Sequence, residues 1–131
     1  MQDTNDYGPD PYVVNIESAT IENEKFRVAK WTGSNLQMTL MAIQPGDDIG
    51  LEVHDDHDQF LRIEKGRGLV QMGPEESNLD YERDVSSDDA IFVPAGSWHN
   101  ITNIGDEPLK LYSIYAPSEH PHGTVHDDKT V

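Results

Sequence analysis

The sequence predicts a single all-β domain, and three observations carry that prediction. Glycines, prolines and Asn/Asp clusters punctuate the chain roughly every eight to twelve residues. The segments between them alternate apolar with polar residues, the period of a half-buried strand. The length, 131 residues, is about one domain and enough to close one core.

Taken in order, the expected strands are Tyr12–Ile16, Phe26–Trp31, Leu36–Ile43, Ile49–His54, Gln59–Glu64, Gly68–Met72, Asp80–Val85, Ala90–Val93, Trp98–Asn103 and Leu109–Tyr115. Each is a short alternating run bounded by turn-forming residues, such as PGDD before Ile49, DDHD before Gln59 and PAGS before Trp98. The one stretch with helical character is Glu17–Glu24, and it is short. Many short antiparallel strands in so few residues point to a sandwich, jelly roll or small barrel, which protect their edges by packing two sheets or closing. Residues 1–11 are polar and proline-bounded, an expected N-terminal arm. Residues 118–131 lack alternation and form an expected C-terminal tail, leaving 12–117 as the barrel. Both ends read as loops or arms, lying free or crossing a neighbouring subunit.

Composition excludes several functions. A net charge of −16 disfavours nucleic acid, whose phosphates need Lys and Arg, and disfavours anionic membrane surfaces. No apolar run approaches the roughly 20 residues that span a bilayer, and the start, MQDTNDYGPD, lacks the basic and apolar regions of a signal peptide. A cytoplasmic location is expected. With zero cysteines, any metal must take His, Asp, Glu or Gln ligands. The nine Lys and Arg residues restrict phosphate recognition. Arg62 should face away from the interior if Gln59 faces in, Arg67 lies beside a turn, and Lys110 is the remaining strand lysine able to reach a phosphate.

Two constellations carry chemistry. In GLEVHDDHDQF, residues two apart share a strand face, so Glu52 and His54 can converge on one ion. The DDHD run reads as a turn with His57 facing solvent. Gln59 is then the polar member of an inward row completed by Leu61 and Ile63, and a buried Gln needs partners. In VPAGSWHNITN, Pro94 and Gly96 supply a turn, and His99 shares a strand face with Ile101 and Asn103. Trp31 and Trp98 line a pocket or fill core, core being the commoner fate.

Together these segments resemble the cupin superfamily. The first cupin motif falls on Gly46, Glu52, His54, Gln59 and Gly66. The second falls on Pro94, Gly96, His99 and Asn103, with Asp88 where a leading glycine is expected. Two positions depart from the pattern: Glu52 replaces its first histidine, and Gln59 replaces its glutamate. The resemblance implies a cupin jelly roll, a double-stranded β-helix barrel. It also implies a centre of Glu52, His54, Gln59 and His99 holding one divalent transition metal ion, Mn, Fe, Ni, Co or Zn, to which such a donor set is suited. Type I phosphomannose isomerases are similar in using two His, one Glu and one Gln. The small cupins termed mannose-6-phosphate isomerase-like are the nearest likeness, and the ending YAPSEHPHGTVH also looks like theirs. A metal-dependent isomerase-like enzyme acting on a small sugar or sugar phosphate follows. In that role His126, folded over the barrel mouth, or Tyr112 or Tyr115 would transfer protons. A shared ion at His120, His122 and His126 is not expected. The same resemblance allows an Fe- or Mn-dependent dioxygenase, a non-catalytic sugar-binding module, or a barrel without metal in which Glu52 and Gln59 bond one another or a buried water. It implies a homodimer formed through the outer sheet face.

Overall fold

A computed structural model describes residues 2–129; Met1, Thr130 and Val131, at the extremes of the expected arm and tail, lie outside the described residues. The first expected strand, Tyr12–Ile16, does not form. Asn15 accepts the Ser18 N–H at 2.9 Å and caps helix α1 (Ile16–Glu22), which has Glu17 in its first turn. An Asn at this position satisfies one of the helix's free N–H groups and places an acidic residue at the positive end of its dipole.

Among the described residues nine strands follow: β1 (Arg27–Thr32), β2 (Gln37–Ile43), β3 (Asp58–Lys65), β4 (Arg67–Gly73), β5 (Tyr81–Ser86), β6 (Ala90–Val93), β7 (Trp98–Asn103), β8 (Leu109–Ala116) and β9 (Val125–His126). They form two antiparallel sheets, one ordered β6-β3-β8-β2-β1-β9 and the other β5-β4-β7. The expected strand at Ile49–His54 is reduced to isolated bridges, Asp48 to Thr102 and Glu52 to His99. Gly50 lies between them at φ +93°, a left-handed conformation that breaks a ladder. Strand β9 lies within the expected tail and was not foreseen. It pairs Arg27 with His126 and Val28 with Val125, so the tail folds onto its own barrel.

The sheets enclose a core that includes Phe26, Met41, Ile43, Leu61, Ile63, Val70, Ile101, Leu109 and Leu111. Register grades this interior from one end to the other. The partners Ile43 and Leu109, then Met41, Leu111 and Ile63, give apolar rungs. Next come Thr39, Ser113 and Leu61, and finally Gln37, Tyr115 and Gln59. The barrel thus has an apolar floor and a polar mouth. The buried Gln37 carboxamide closes over that mouth, accepting the backbone N–H groups of Glu119 (3.0 Å) and His120 (2.9 Å) and donating to the His120 carbonyl (2.7 Å). Asp6 ties arm to tail by accepting the Gly123 N–H at 2.9 Å and the Thr32 hydroxyl at 2.6 Å.

Two backbone positions test why the sequence takes this path. Gly66 turns β3 into β4 at φ +99°, and a Cβ there would stand 3.1 Å from both Leu109 Cα and the Pro108 carbonyl. Asp88 adopts φ +77°, which explains why the resembled motif has glycine there; its carboxylate accepts from Arg62 Nη2 at 2.7 Å. Gly66→Ala should therefore destabilise by about 1–3 kcal/mol, from left-handed strain plus contact with the Pro108–Leu109 backbone. Asp88→Gly should stay within about 1 kcal/mol of the native protein, because relief of strain offsets a surface ion pair worth about 0–1 kcal/mol. Urea denaturation of both variants checks the contrast.

Candidate metal centre

Glu52 and His99 face each other across a two-bond bridge: the Glu52 N–H donates to the His99 carbonyl (3.1 Å), and the His99 N–H to the Glu52 carbonyl (2.9 Å). The Pro94–Ser97 turn is pinned to the same place, since the Gly96 N–H donates to the His54 carbonyl at 2.8 Å. These backbone bonds bring residues far apart in sequence into one cluster. Glu52 Oε1 lies 3.3 Å from His54 Nε2 and 3.6 Å from His99 Nε2. One donor atom from each residue falls within 4.8 Å of the other two. For comparison, ligands about 2.1 Å from a common ion are about 3.0–3.4 Å apart along the edge of an octahedron or tetrahedron.

The second partners of these side chains aim them. His99, 1% exposed, directs Nδ1 at the Ser97 carbonyl at 3.0 Å, so in the neutral ring Nε2 presents its lone pair inward. Gln59 is buried on the inward row, as its alternation predicts, and donates Nε2 to Ser113 Oγ at 2.8 Å. Both His99 Nε2 and Gln59 Oε1 are buried without a hydrogen-bond partner. Leaving such groups unpaired costs about 1–3 kcal/mol each, and a bound cation would relieve both. The metal-free alternative expects Glu52 and Gln59 to bond one another or a buried water, and the direct bond does not form. Instead Glu52 turns to the two imidazoles and Gln59 to Ser113. The residues present therefore fit a divalent ion.

The tail adds groups that spacing did not reveal. Glu119 Oε1 stands 3.4 Å from His54 Nδ1 and 3.4 Å from His57 Nε2. His57 does not face solvent. Its side chain is 12% exposed, and Nε2 lies 2.9 Å from the Ser118 carbonyl because the tail crosses above it. His120 packs edge-on against Tyr115 at 5.3 Å.

Of the expected proton carriers, Tyr115 is buried inside, its ring 5.9 Å from that of His54. Tyr112 is on the wrong face: β8 alternation sends it outward, beside Phe60 at 6.2 Å, and it does not reach the cluster. His126 is exposed beside β1, with Nδ1 3.1 Å from Arg27 Nη1, and His120 rather than His126 occupies the mouth. Arg62 faces out as expected, bonded to Glu64 at 2.6 Å. Lys110 also faces out and donates to the Asn23 carbonyl, so it offers nothing to a phosphate inside. Trp31 donates to the Asp10 carbonyl at 2.7 Å and so holds the arm. A surface cleft of about 700 Å³ beneath the arm, lined by Tyr12, Ser18, Lys30 and Leu40 among others, contains none of the cluster residues.

Charge is distributed unevenly across the site. Burial alone would raise the Glu52 pKa, but the hydrogen bond from His54 and the imidazole of His99 3.6 Å away hold it at about 2. His54 is raised, first by its hydrogen bond to Glu52, against the opposing effect of burial. Burial, then the positive charge of Arg27, pushes His120 down to about 4. Burial pushes the Tyr115 hydroxyl up to about 12.

Comparison with known proteins places this geometry. The family model described as "Cupin domain" matches residues 39–115. The uncharacterized protein YrkC of Bacillus subtilis is 60% identical over 124 residues, covering 95% of this chain and 67% of YrkC. The crystal structure of BH2720 from Bacillus halodurans is similar at 61% identity and a TM-score of 0.94, covering 95% of this chain and 94% of that one. A sugar phosphate isomerase of the cupin superfamily from Silicibacter pomeroyi is similar at a TM-score of 0.57 and 20% identity, covering 66% of this chain and 53% of that one. At that identity the likeness is one of fold alone. Among the described residues, no helix is long and apolar enough to cross a membrane.

The His120 environment yields a signed pH dependence. Its folded pKa of about 4 lies below the unfolded value of 6.5, so acid protonates the unfolded chain first. The stability this group contributes is complete above pH 6.5 and is lost as pH falls from 6.5 towards 4. For a partly solvated ring the loss is on the order of 2 kcal/mol. Urea denaturation of metal-free protein between these limits should show it, and His120→Gln should flatten that part of the profile.

Proposed function

The chain belongs to the cupin family, and on that footing we propose that it is a metal-dependent enzyme of the isomerase type, acting on a small hydroxy-carbonyl compound such as a sugar. The observation that carries the reading is the convergence of Glu52, His54 and His99 beside two buried acceptors, His99 Nε2 and Gln59 Oε1, that have no hydrogen-bond partner among the described residues. A divalent transition ion bound by Glu52, His54, Gln59 and His99 would polarise a carbonyl or hydroxyl and lower the pKa of bound water.

The chain's own groups have distinct tasks. Glu119 orients His54 from behind, as carboxylates do for ligand histidines, while Ser97 and Ser113 fix His99 and Gln59. His120, neutral and with a buried unpartnered Nε2, is the proton acceptor beside the mouth. Tyr115 stays protonated and offers a hydroxyl hydrogen bond. The Gln37 clamp on Glu119 and His120 keeps this arrangement closed over the interior and limits entry of water. The isomerase choice draws further support from the shared fold of the Silicibacter pomeroyi sugar phosphate isomerase. A homodimer completes the proposal: Phe92, 71% exposed, lies 5.1 Å from Phe60 on the outer face of the six-stranded sheet, an apolar surface suited to a second copy. Absence of cysteine suits a reducing compartment such as the cytoplasm.

Elemental analysis of untagged protein should find about one transition metal per chain, lost in His54→Ala and His99→Ala, with Glu119→Gln weakening affinity by about 10–100-fold. Aldose–ketose interconversion by the loaded protein should disappear with the metal. Absence of metal after refolding with a mixture of ions would overturn the metal-centre reading. Oxygen consumption requiring reduced iron would replace the isomerase by an oxygenase, and tight sugar binding without turnover would leave a binding module.

A further inference from the structure

Strand β1 contributes a buried cation that the proposed metal centre does not use. Arg27 opens β1 on the inward row, its register placing it between Met41 on β2 and His126 on β9. The residue is 9% exposed, and its guanidinium lies 5.1 Å over the Phe26 ring. Nη1 lies 3.1 Å from His126 Nδ1, whereas Nε is buried with no hydrogen-bond partner. Among the described residues, no carboxylate oxygen comes within 4.0 Å of this guanidinium. That omission stands out in a chain with 25 acidic and nine Lys or Arg residues. Lys30, equally buried, has Asp3 at 3.5 Å, and Arg62 has Glu64 at 2.6 Å.

A buried charge without a counter-ion is costly, so its retention calls for an anion that arrives from outside. The surroundings specify that anion further. Seven buried side-chain polar atoms lack a partner among the described residues; those of Gln59 and His99 belong to the candidate centre, that of His120 lies beside Tyr115 at the mouth, and that of Arg27 is linked to it through His126, whose ring is 6.5 Å from the ring of His120. Unsatisfied polarity collected in one place fits a polar molecule that bonds to several of these atoms at once.

We propose that Arg27 is the carboxylate-binding residue of this site, and that the ligand is a small hydroxy acid whose carboxylate rests on Arg27 while its hydroxyl or carbonyl end faces Glu52, His54 and His99. With Nη1 engaged by His126, the Nε–Nη2 edge remains, and this edge of a guanidinium takes the two oxygens of a carboxylate in parallel hydrogen bonds. Donor number selects carboxylate over phosphate. With Arg62 and Lys110 both facing out, the interior offers one guanidinium edge, which matches the two oxygens of a carboxylate and leaves the third oxygen of a phosphate without a basic partner. The electrostatics agree with the placement, since the Arg27 charge is felt at both Tyr115 and His120 and adds to burial, the larger cause, in lowering the His120 pKa.

The inference rests on the reading of this cavity as the substrate site, and the test separates the two. Titration calorimetry would compare three probes of one three-carbon scaffold, glycerate, its uncharged amide and glycerol phosphate, on metal-loaded and metal-free protein. Glycerate should bind at least about tenfold more tightly than the amide, the size of one charge-assisted bond. Arg27→Met should abolish that preference, and Arg27→Lys should keep part of it, while metal content stays unchanged in both. A wild-type protein that binds glycerate and the amide equally, or binds neither, overturns the proposal without recourse to any variant. Preference for glycerol phosphate overturns it in favour of a phosphate site. If no metal binds but the glycerate preference and its loss in Arg27→Met are found, the metal-centre reading fails and the carboxylate site stands.

Discussion

The alternation along β8 is the constraint on which the interior depends. Leu109, Leu111, Ser113 and Tyr115 point inward in succession, and each sets the character of a rung shared with β2 and β3. Because the side-chain period of a strand is two, a slip of one residue would bring Lys110, Tyr112 and Ile114 inward and destroy both floor and mouth together. The apolar half supplies the free energy of closure, at about 1.5–3 kcal/mol for each large side chain fully buried. The polar half draws on that stability: Ser113 anchors Gln59, and Tyr115 supports His120.

The opposite wall is built on a different principle. Residues 46–54 do not form a continuous strand; they touch β7 at two isolated bridges separated by the left-handed Gly50. Such a segment aims side chains more freely than a ladder would. That freedom lets Glu52 and His54 meet at 3.3 Å although they are only two residues apart. The tail then closes the remaining side through Gln37, which holds residues more than 80 positions away. The candidate metal ligands, their orienting groups and the buried cation thus come from four separate stretches of chain, joined mainly by backbone hydrogen bonds.

Sequence brought the four candidate ligands together in two steps: strand period gives Glu52 and His54 a common face and puts Gln59 on an inward row, and the resembled motif joins His99 to them. Eight of the ten expected strands form, and Ala90–Val93 and Trp98–Asn103 match to the residue. The failures have local or long-range causes. Tyr12–Ile16 has strand composition, but Asn15 makes a better helix cap than a strand residue. His57 reads as solvent-facing until Ser118, 61 positions on, covers it. Arg27 escaped notice because the first four residues of β1 are all buried, so FRVAKW shows no clean difference between inner and outer faces. Glu119 and His120 lie in a segment without periodicity, and only the Gln37 clamp gives them a place.

The two departures from the resembled motif act together. Moving the carboxylate from position 59 to position 52 keeps one negative charge in the ligand set but shifts it from the β3–β8 rung to the opposite wall, against His54 and His99. A glutamate at 59 would bring its charge to the rung of Tyr115, on the sheet that also carries Arg27. The amide at that position is satisfied on one side by Ser113 and adds no charge there. The carboxylate of the candidate centre is thus held on the wall of His54 and His99, while the buried Arg27 guanidinium stands on β1 with no carboxylate oxygen within 4.0 Å among the described residues. A molecule able to span both must carry a metal-binding oxygen at one end and a carboxylate at the other.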